Sequence, residues 1–307
     1  MKVMVTGGLG FIGLHIIDML VKEGHTTIIL DKETSFNHVD YRGLITYYQA
    51  DINDSIVEEI FAQELPDIII HLAAQISVSH SIKDPIYDMR TNGYGTVKLL
   101  QYAAKYQLKK FIFASSAAVY GIPDYIPIDE HHPVQPISFY GLSKAVGEQY
   151  IKLYKEIFNL DYCILRFANV YGPGQSIEGE AGVISIFIDK IRKNLPLIIY
   201  GNGKQTRDFI YVKDVAKACI QAMNVSGSHI LNISSDSKLP LNDLVQLLMK
   251  QSGSAIATSY KPKKSGDILH SRLKNALARH ILNWKPQYTI DTGLKITFNS
   301  MIASTKQ

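Results

Sequence analysis

The stretch that most constrains the fold is the first strand together with the glycine-rich turn behind it. Residues 2–6 have the sequence Lys-Val-Met-Val-Thr, which predicts a short buried strand. Glycines follow at Gly7, Gly8, Gly10 and Gly13, and the apolar residues after them recur at helical spacing. Registers starting at Gly7 and at Gly8 both allow a tight turn and close approach of backbone N–H groups to a phosphate. The stretch therefore predicts a strand–turn–helix unit that binds a dinucleotide.

The next strand supports the same interpretation. Residues 25–30 predict a strand that ends at Asp31, eighteen positions after Gly13. A carboxylate at this point accepts hydrogen bonds from an adenosine ribose and repels a 2′-phosphate, so NAD is favoured over NADP. Lys32 and Arg42 carry positive charge nearby and keep NADP open as the alternative.

Strands and helices continue to alternate along the chain. This alternation predicts a Rossmann-like, doubly wound parallel α/β sheet with a smaller, interlaced C-terminal α/β region. We expect residues 1–167 to form the dinucleotide-binding domain, with later segments such as 201–225 returning to it, and residues 168–307 to form mainly the substrate-binding region. The further predicted strands are residues 45–50, 67–72, 109–113, 161–167, 197–200, 207–211 and 228–232, and a long helix is expected to start at Asp84–Pro85 and to carry Asn92.

A tyrosine and a lysine four positions apart provide a candidate acid–base pair. Tyr140 and Lys144 share one face of a helix for which Ser138 is the expected N-cap. An ammonium beside a phenol favours the phenolate, which is a general base. By spacing alone the pair favours an ordinary amphipathic helix, since tyrosine and lysine often meet at this spacing. Hydroxyls at Ser115 and Ser116, where a parallel strand ends, favour the catalytic interpretation because they fall at the same sheet edge.

Composition excludes several other classes of function. The formal charge of +4 is spread along the chain, so neither a nucleic-acid surface nor a membrane surface is indicated. Cys163 and Cys219 lie in apolar contexts without metal-ligand spacing, which predicts buried thiols in a reducing compartment and no metal site. No apolar run approaches membrane-spanning length, so we expect a cytoplasmic protein.

The ordered motifs also support a family resemblance. They are residues 6–13, Asp31, 71–74, 113–121, 140–144, 165–175 and 203–214. In this order they resemble the extended short-chain dehydrogenase/reductase family, and within it the nucleotide-sugar 4-epimerases of the short UDP-glucose 4-epimerase type. The resemblance extends from Lys2 to about Pro286.

The resemblance implies a reaction and a catalytic set. Tyr140 would remove the proton of the sugar 4-hydroxyl, Lys144 would support the phenolate and hold the nicotinamide ribose, and Ser116 would bind the reacting hydroxyl. NAD would take the C4 hydride and return it to the opposite face. Strand-end positions and the resemblance together predict these cofactor-binding residues: Gly7, Gly10, Phe11, Ile12, Gly13, Asp31, Lys32, Asp51, Ile52, Leu72, Ala73, Ala74, Gln75, Asn92, Ser115, Tyr140, Lys144, Phe167 and Val170.

A UDP-sugar is the substrate that the resemblance implies. Asn169 and Arg207 would hold the diphosphate, and Tyr200 would flank the uracil. Ser271 is small at the position that limits room around the sugar C2 substituent, which would admit N-acetylated sugars. The predicted substrate-binding residues are Ser77, Ser116, Tyr140, Asn169, Val183, Tyr200, Arg207, Lys264, Asp267 and Ser271.

Departures from the family pattern narrow the chemistry. Dehydratase relatives carry an acidic pair where this chain has Ala117 and Ala118, so dehydration is disfavoured. Lys264 replaces an arginine that relatives often use for the diphosphate. Reduction of a keto-sugar with dissociable NAD(P)H and a non-catalytic NAD-binding module remain the alternative functions.

The resemblance also implies a homodimer. In related proteins the helices around residues 85–107 and 138–155 form a four-helix interface. Apolar side chains on these helices at Tyr87, Tyr94, Ile151 and Tyr154 would serve such an interface or would simply pack on the sheet.

Overall fold

Strands and helices alternate along the first half of the chain in the computed structural model, which describes residues 1–34, 43–177, 182–263 and 268–303. A π-helical segment, Met89–Tyr94, and a 3₁₀ turn, Ala117–Tyr120, interrupt the alternation. The regular elements are β1 (Lys2–Thr6), α1 (Phe11–Lys22), β2 (Thr26–Asp31), β3 (Ile45–Gln49), α2 (Ile56–Glu64), β4 (Ile68–His71), α3 (Val78–Lys83), α4 (Pro85–Asp88), α5 (Gly95–Lys105), β5 (Lys110–Ser116), α6 (Phe139–Phe158) and β6 (Asp161–Phe167).

The second half is built from shorter strands and the remaining helices. Its elements are β7 (Asn169–Tyr171), α7 (Val183–Arg192), β8 (Leu197–Tyr200), β9 (Thr206–Arg207), β10 (Phe209–Tyr211), α8 (Val212–Asn224), β11 (His229–Ile233), β12 (Leu239–Pro240), α9 (Leu241–Ser252), β13 (Thr258–Lys261), α10 (Ala276–Ile281) and α11 (Ile290–Ala303). No helix within the described ranges combines the length and the hydropathy needed to cross a bilayer.

The central sheet has seven strands in the order β11-β6-β5-β4-β1-β2-β3. Every neighbouring pair is parallel. From β1 the strand order proceeds through β2 and β3 on one side and through β4, β5 and β6 on the other. The crevice beyond the carboxyl ends of β1 and β4 is therefore the switch point where such sheets bind ligands. The predicted doubly wound parallel fold is confirmed.

Both faces of the sheet are covered by apolar side chains, as parallel sheets require. Within β1, Val3 and Val5 point into a core shared with α1 and α8, whereas Met4 points into a core shared with α2, α5 and α6. Cys163 and Cys219 are buried free thiols in the first of these cores, and burial raises the pKa of Cys163 to about 11. The alternating side chains of a strand thus explain how one apolar segment supports two helical layers.

The chain returns to the sheet after leaving it. α8 packs on α1, and β11 adds to the sheet edge beside β6. The strand predicted at residues 228–232 therefore belongs to the central sheet. A third core, formed mainly by α7, α9, α11 and β8, supports the remaining C-terminal part. The division into domains at residues 167 and 168 stays a prediction.

Two predicted elements are interrupted. The long helix expected from Asp84 is divided into α4, the π-helical segment and α5. Gly95, the first residue of α5, packs against the Ile52 side chain, which a Cβ on Gly95 would approach to 2.5 Å. The strand expected at residues 207–211 is split at Asp208, so that Arg207 pairs with β12 while Phe209–Tyr211 pairs with β7. Both interruptions lie at walls of the cavities described below.

Candidate active site

A cavity of about 300 Å³ lies beyond the carboxyl ends of β1 to β5. We call it the cofactor cavity. Most of the predicted cofactor-binding residues line it, and they come from the ends of six strands, β1 to β6, and from α6. The lining residues among those predicted are Gly7, Gly10, Phe11, Ile12, Gly13, Asp31, Lys32, Asp51, Ile52, Leu72, Ala73, Ala74, Ser115, Tyr140, Lys144 and Phe167.

The glycine turn is shaped by close backbone packing. Gly7 has a φ of +67°, and a Cβ there would lie 2.7 Å from the backbone nitrogen of Ala73. A Cβ on Gly13 would lie 2.4 Å from the carbonyl oxygen of Gly8. Gly8 itself packs against Ile29, so the register that lines the cavity is the one that starts at Gly7. α1 begins behind this turn without a side-chain cap, and its first N–H groups remain available to a phosphate.

Asp31 closes the far end of the cavity. Its Oδ2 accepts a hydrogen bond from the Leu9 N–H at 2.9 Å, and its Oδ1 accepts one from the Glu33 N–H at 3.2 Å. These two bonds hold the carboxylate between the glycine turn and the end of β2. Lys32 donates to the Tyr87 hydroxyl at 3.4 Å. Arg42, the other cation considered for a 2′-phosphate, lies outside the described residues.

Lys144 is a buried cation at the opposite end of the cofactor cavity. Its Nζ donates to the Ala114 carbonyl oxygen at 2.9 Å and lies 4.9 Å from the centre of the Phe113 ring. Burial lowers the pKa of Lys144 to about 8, while the negative charges of Asp88 and Glu148 act in the other direction. An ammonium in this environment remains the larger fraction near neutral pH.

Tyr140 is placed by the start of α6. Ser138 caps the helix by accepting from the Gly141 N–H at 3.0 Å, as predicted. Ser81 of α3 accepts from the Tyr140 N–H at 3.1 Å, which anchors this turn to a second helix. Tyr140 lines the cofactor cavity and also a second cavity on its other side.

The second cavity, with a volume of about 370 Å³, we call the substrate cavity. Ser116, Ala117, Ala118, Asn169 and Ser271 line it together with Arg207, which is the charged side chain among the described lining residues. Tyr140 and Phe167 separate it from the cofactor cavity. A hydroxyl, a phenol and a guanidinium thus line the same cavity, which suits a ligand with a reacting alcohol and an anionic portion.

The two serines at the end of β5 face different surroundings. Ser115 donates to Glu148 Oε1 at 2.6 Å, and Glu148 is paired with Arg166 in a buried ion pair. Ser116 Oγ accepts from the Ala118 N–H at 3.1 Å and lines the substrate cavity. Of the pair, Ser116 is therefore the hydroxyl that a substrate can reach.

Several predicted site residues lie away from the walls of these two cavities. Gln75 and Asn92 are buried behind the cofactor cavity, and Val170 is part of β7. Ser77 is the N-cap of α3, and Val183 is the first residue of α7. Tyr200 lines a separate cavity of about 220 Å³ with Gly201, Asn202, Gln205, Lys263 and Leu269. Lys264 and Asp267 fall outside the described residues.

Other lining residues were not predicted. Leu30 and Ala50 directly precede Asp31 and Asp51, so the strand-end rule could have identified them. Val78 and Ile82 reach the substrate cavity from α3, a short helix that no sequence periodicity indicated. The further unpredicted residues are Glu33, Ile76, Thr91 and Ala114 in the cofactor cavity and Gly121, Pro123, Ile128, Ile137, Ser138, Ala168 and Ile268 in the substrate cavity.

His71 has a structural role. It is 1% exposed, and burial lowers its pKa to about 3. Thr96 donates its hydroxyl proton to the Asn92 carbonyl oxygen, so it accepts from His71 Nε2 at 3.0 Å, and His71 Nδ1 accepts from Thr6 at 2.7 Å. This neutral histidine joins β1 and β4 to α5. Among the described residues, no group of three or more His, Cys, Asp and Glu side chains is arranged to hold a metal ion.

Comparison with known proteins places this geometry in a family. A family model described as the NAD dependent epimerase/dehydratase family matches residues 3–234. The chain belongs to this NAD-dependent epimerase/dehydratase family. The match includes the glycine turn, Asp31, Ser116 and the Tyr140–Lys144 pair, and the predicted membership of the extended short-chain dehydrogenase/reductases is confirmed.

Individual members of the epimerase/dehydratase family are similar over nearly the whole chain. A provisionally named UDP-glucose 4-epimerase of Methanocaldococcus jannaschii is 43% identical over 300 residues, which cover 97% of this chain and 98% of the relative. The structure of Thermotoga maritima UDP-glucose 4-epimerase with UDP-glucose has a TM-score of 0.95 and 36% identity, covering 99% of this chain and 100% of that one. A UDP-N-acetylglucosamine 4-epimerase from Methanobrevibacter ruminantium, in complex with UDP-N-acetylmuramic acid, has a TM-score of 0.94 and 34% identity over 99% of this chain and 98% of that one.

NAD is the cofactor of the family, and the cofactor cavity fits it. A turn with no room for a Cβ at Gly7 permits the backbone to approach a pyrophosphate. The uncapped start of α1 provides N–H donors, and Asp31 lies where an adenosine ribose needs an acceptor. Lys144 and Tyr140 line the other end, where the nicotinamide would lie.

Proposed function

We propose that this protein is an NAD-dependent 4-epimerase of a UDP-sugar that interconverts UDP-glucose and UDP-galactose. The observation that carries the proposal is the position of Tyr140, which lines both the cofactor cavity and the substrate cavity. A group that moves a proton on the substrate while hydride passes to the cofactor must reach both ligands. The similarity to UDP-sugar 4-epimerases over the whole chain supports the same reaction.

The residues around Tyr140 divide the chemistry among them. The Tyr140 oxygen takes the proton of the sugar 4-hydroxyl and later returns it, and the Lys144 ammonium stabilises the phenolate by its positive charge. Ser116 holds the 4-hydroxyl by a hydrogen bond. Bound NAD supplies the hydride acceptor for C4 and the donor for its return to the opposite face. A 4-keto sugar that turns over within the substrate cavity is then reduced with inversion.

The substrate cavity favours epimerisation over dehydration. Loss of water from a sugar requires an acid beside the leaving hydroxyl. Ala117 and Ala118 occupy the positions after Ser116, and the described residues that line the cavity include neither Asp nor Glu. Tyr140 is therefore the principal acid–base group, which is sufficient for reversible inversion at one carbon.

The remaining predicted contacts orient the nucleotide. Arg207 and Asn169 hold the diphosphate, since the guanidinium fork makes charge-assisted bonds to phosphate oxygens. Tyr200 flanks the uracil in the 220 Å³ cavity, where Leu269 is a lining residue, and the preceding residue, Ile268, lines the substrate cavity. Ser77, Val183, Lys264 and Asp267 are proposed as contacts on the family resemblance alone.

Retained cofactor and cofactor-free turnover test the proposal. The purified protein is expected to release NAD on denaturation and to convert UDP-galactose to UDP-glucose without added cofactor. A requirement for stoichiometric NADH would instead indicate a keto-sugar reductase. Bound NAD without turnover of UDP-glucose, UDP-galactose or their N-acetylated forms would indicate a non-catalytic NAD-binding module.

The N-acetylated pair is a second candidate substrate. Ser271 lines the substrate cavity with a small side chain, and a similar structure is a UDP-N-acetylglucosamine 4-epimerase. We expect UDP-N-acetylglucosamine to be turned over, and S271Y to lose that activity while it retains turnover of UDP-glucose. Efficient conversion of UDP-glucose with no turnover of UDP-N-acetylglucosamine by the unaltered protein would contradict this extension.

A homodimer formed through the helices around residues 85–107 and 138–155 is also proposed. Ile151 is 1% exposed and Tyr154 packs on the core beneath the sheet, so these two of the expected interface residues pack inward. Tyr94, Leu153 and Ile157 are more than half exposed and form an apolar outer face. Light scattering should give the mass of a dimer, and an L153D/I157D variant should give that of a monomer.

The reducing cytoplasm suits the two free thiols and is the proposed location.

A further inference from the structure

Asp88 carries a buried carboxylate that the chemistry above does not use. It is the last residue of α4 and is 1% exposed. Its Oδ1 accepts from Gln75 Nε2 at 2.7 Å and from Asn92 Nδ2 at 3.2 Å. Its Oδ2 is buried and has no hydrogen-bond partner among the described residues. A buried polar atom of this kind destabilises a fold and calls for a physical explanation.

The side chains bound to Asp88 connect it to the start of α6. The amide of Asn92 accepts from the Gln75 N–H at 2.8 Å and donates to the Gln75 carbonyl oxygen at 2.9 Å and to Ser143 Oγ at 3.1 Å. Ser143 in turn donates to the Tyr140 carbonyl oxygen at 3.0 Å. Since Ser143 directly precedes Lys144, the network led by Asp88 fixes the turn that carries both the base and its cation.

The charges around Lys144 give the carboxylate a second role. The titratable groups that face the ammonium are Asp88 from α4, Glu148 and Tyr140 from α6, and His71 from β4. Glu148 is committed to Arg166, at 2.5 Å, and to Ser115.

The neutral state of His71 leaves Asp88 and Glu148 as the negatively charged side chains that act on Lys144. Burial keeps His71 neutral, because its pKa is lowered to about 3. Asp88 is the stronger of the two acidic influences that oppose the lowering of the Lys144 pKa. Among the described residues, no cation forms a salt bridge with Asp88, whereas Glu148 is paired with Arg166.

We propose that Asp88 is a positioning residue for the Tyr140–Lys144 pair, holding the turn through Asn92 and Ser143 while its charge keeps Lys144 a cation. The proposal deepens the proposed epimerase function and rests on it for its kinetic consequences. It also has a consequence that involves no turnover, because Lys144 lines the cofactor cavity and its charge affects the binding of a dinucleotide.

The D88N variant separates charge from shape. An asparagine keeps an oxygen that accepts from Gln75 and Asn92, and it removes the negative charge. We expect the pH at which NADH affinity changes, measured by NADH fluorescence on protein stripped of cofactor, to move about 0.5–1 unit lower in D88N. The alkaline limb of the kcat profile for UDP-galactose should move in the same direction. S143A removes the hydrogen bond between Asn92 and α6, so it should lower kcat without moving either pH midpoint. If D88N fails to fold, S143A still tests whether the hydrogen-bond network positions the Tyr140–Lys144 turn.

D214N provides the matched control. Asp214 is 1% exposed and accepts from the Gln287 and Tyr288 N–H groups, away from Lys144. It should lower the melting temperature and leave both pH midpoints unchanged. The proposal is overturned if D88N leaves the two pH midpoints unchanged or shifts them no more than D214N does. It is also overturned if S143A keeps the full kcat. A shifted NADH midpoint in a protein that turns over no UDP-sugar would support the role of Asp88 while refuting the epimerase function.

Discussion

The Lys144 ammonium donates to the Ala114 carbonyl oxygen at 2.9 Å, in the interior of the protein and at the end of a central strand. β5 therefore fixes the cation, and α6 fixes the phenol one helical turn before it. The same strand ends two residues later in Ser116, at the wall of the substrate cavity. One strand and one helix thus place the three proposed catalytic groups.

Removal of the Tyr140 hydroxyl should abolish proton transfer while leaving the fold intact. For Y140F we expect kcat to fall by about 10²–10⁴-fold. Retained NAD should be near normal, because the glycine turn and Asp31 are unchanged. Y154F, a matched substitution on the same helix, should keep full activity. Undiminished activity in Y140F would exclude the proposed mechanism.

Replacement of Lys144 by methionine should inactivate the enzyme and stabilise it. The pKa of Lys144 is lowered to about 8 in the folded protein, so the ammonium opposes folding below that pH, and the penalty is relieved as pH rises towards its ordinary value. At pH 7 we expect K144M, stripped of cofactor, to melt about 2–4 °C higher, since loss of the bond to Ala114 offsets part of the gain. The difference should vanish above pH 10. A lower melting temperature at pH 7 would contradict this account.

The glycine turn should tolerate no side chain at Gly7. A side chain at Gly7 would be opposed both by the backbone φ of +67° and by the 2.7 Å approach of its Cβ to the Ala73 nitrogen. Gly24 has a similar φ of +77° with nothing within 4 Å, so G24A isolates the backbone strain. We expect both variants to lose about 1–2 kcal/mol of stability from strain. G7A alone should also lose bound NAD, measured by cofactor released on denaturation, and retention of NAD by G7A would refute the proposed cradle.

Removal of one charge from the buried Glu148–Arg166 ion pair should lower the free energy of unfolding. The side chains are 1% and 2% exposed, and the closest N–O distance is 2.5 Å. E148Q leaves the guanidinium without its counterion, and we expect a loss of about 3–5 kcal/mol in the free energy of unfolding, measured by urea denaturation. Adding R166M should recover part of the loss. E156Q, on an exposed position of the same helix, should be neutral, and a loss in E148Q that R166M does not reduce would show that the ion pair is not its cause.

Local patterns were sufficient for much of the fold and for part of the site. The glycine turn, the carboxylate at Asp31 and the N-cap at Ser138 each depend on neighbours in the chain, and each lies in the structure where the sequence predicted it. The parallel sheet followed from the alternation of apolar strands and helices. Each of these features depends on residues that are close together in the chain, so it can be predicted from the sequence.

Other features depended on contacts between distant segments. Gln75 and Asn92 bond to each other across seventeen positions, and Asp88 accepts a hydrogen bond from each of them. Asn92 belongs to a π-helical segment that no periodicity indicated. Tyr200 lies in a cavity apart from Tyr140, and β11 returns to the sheet.

The sequence by itself determined the strand–turn–helix unit, the acid at the end of β2 and the tyrosine–lysine spacing, because backbone sterics and helical periodicity are local. Only the tertiary structure decided that Tyr140 would stand between two cavities and that the buried Asp88 carboxylate, which has no salt bridge among the described residues, would act on its lysine. Those relationships come from how strands and helices pack, since burial and charge proximity are properties of the assembled core rather than of any one segment.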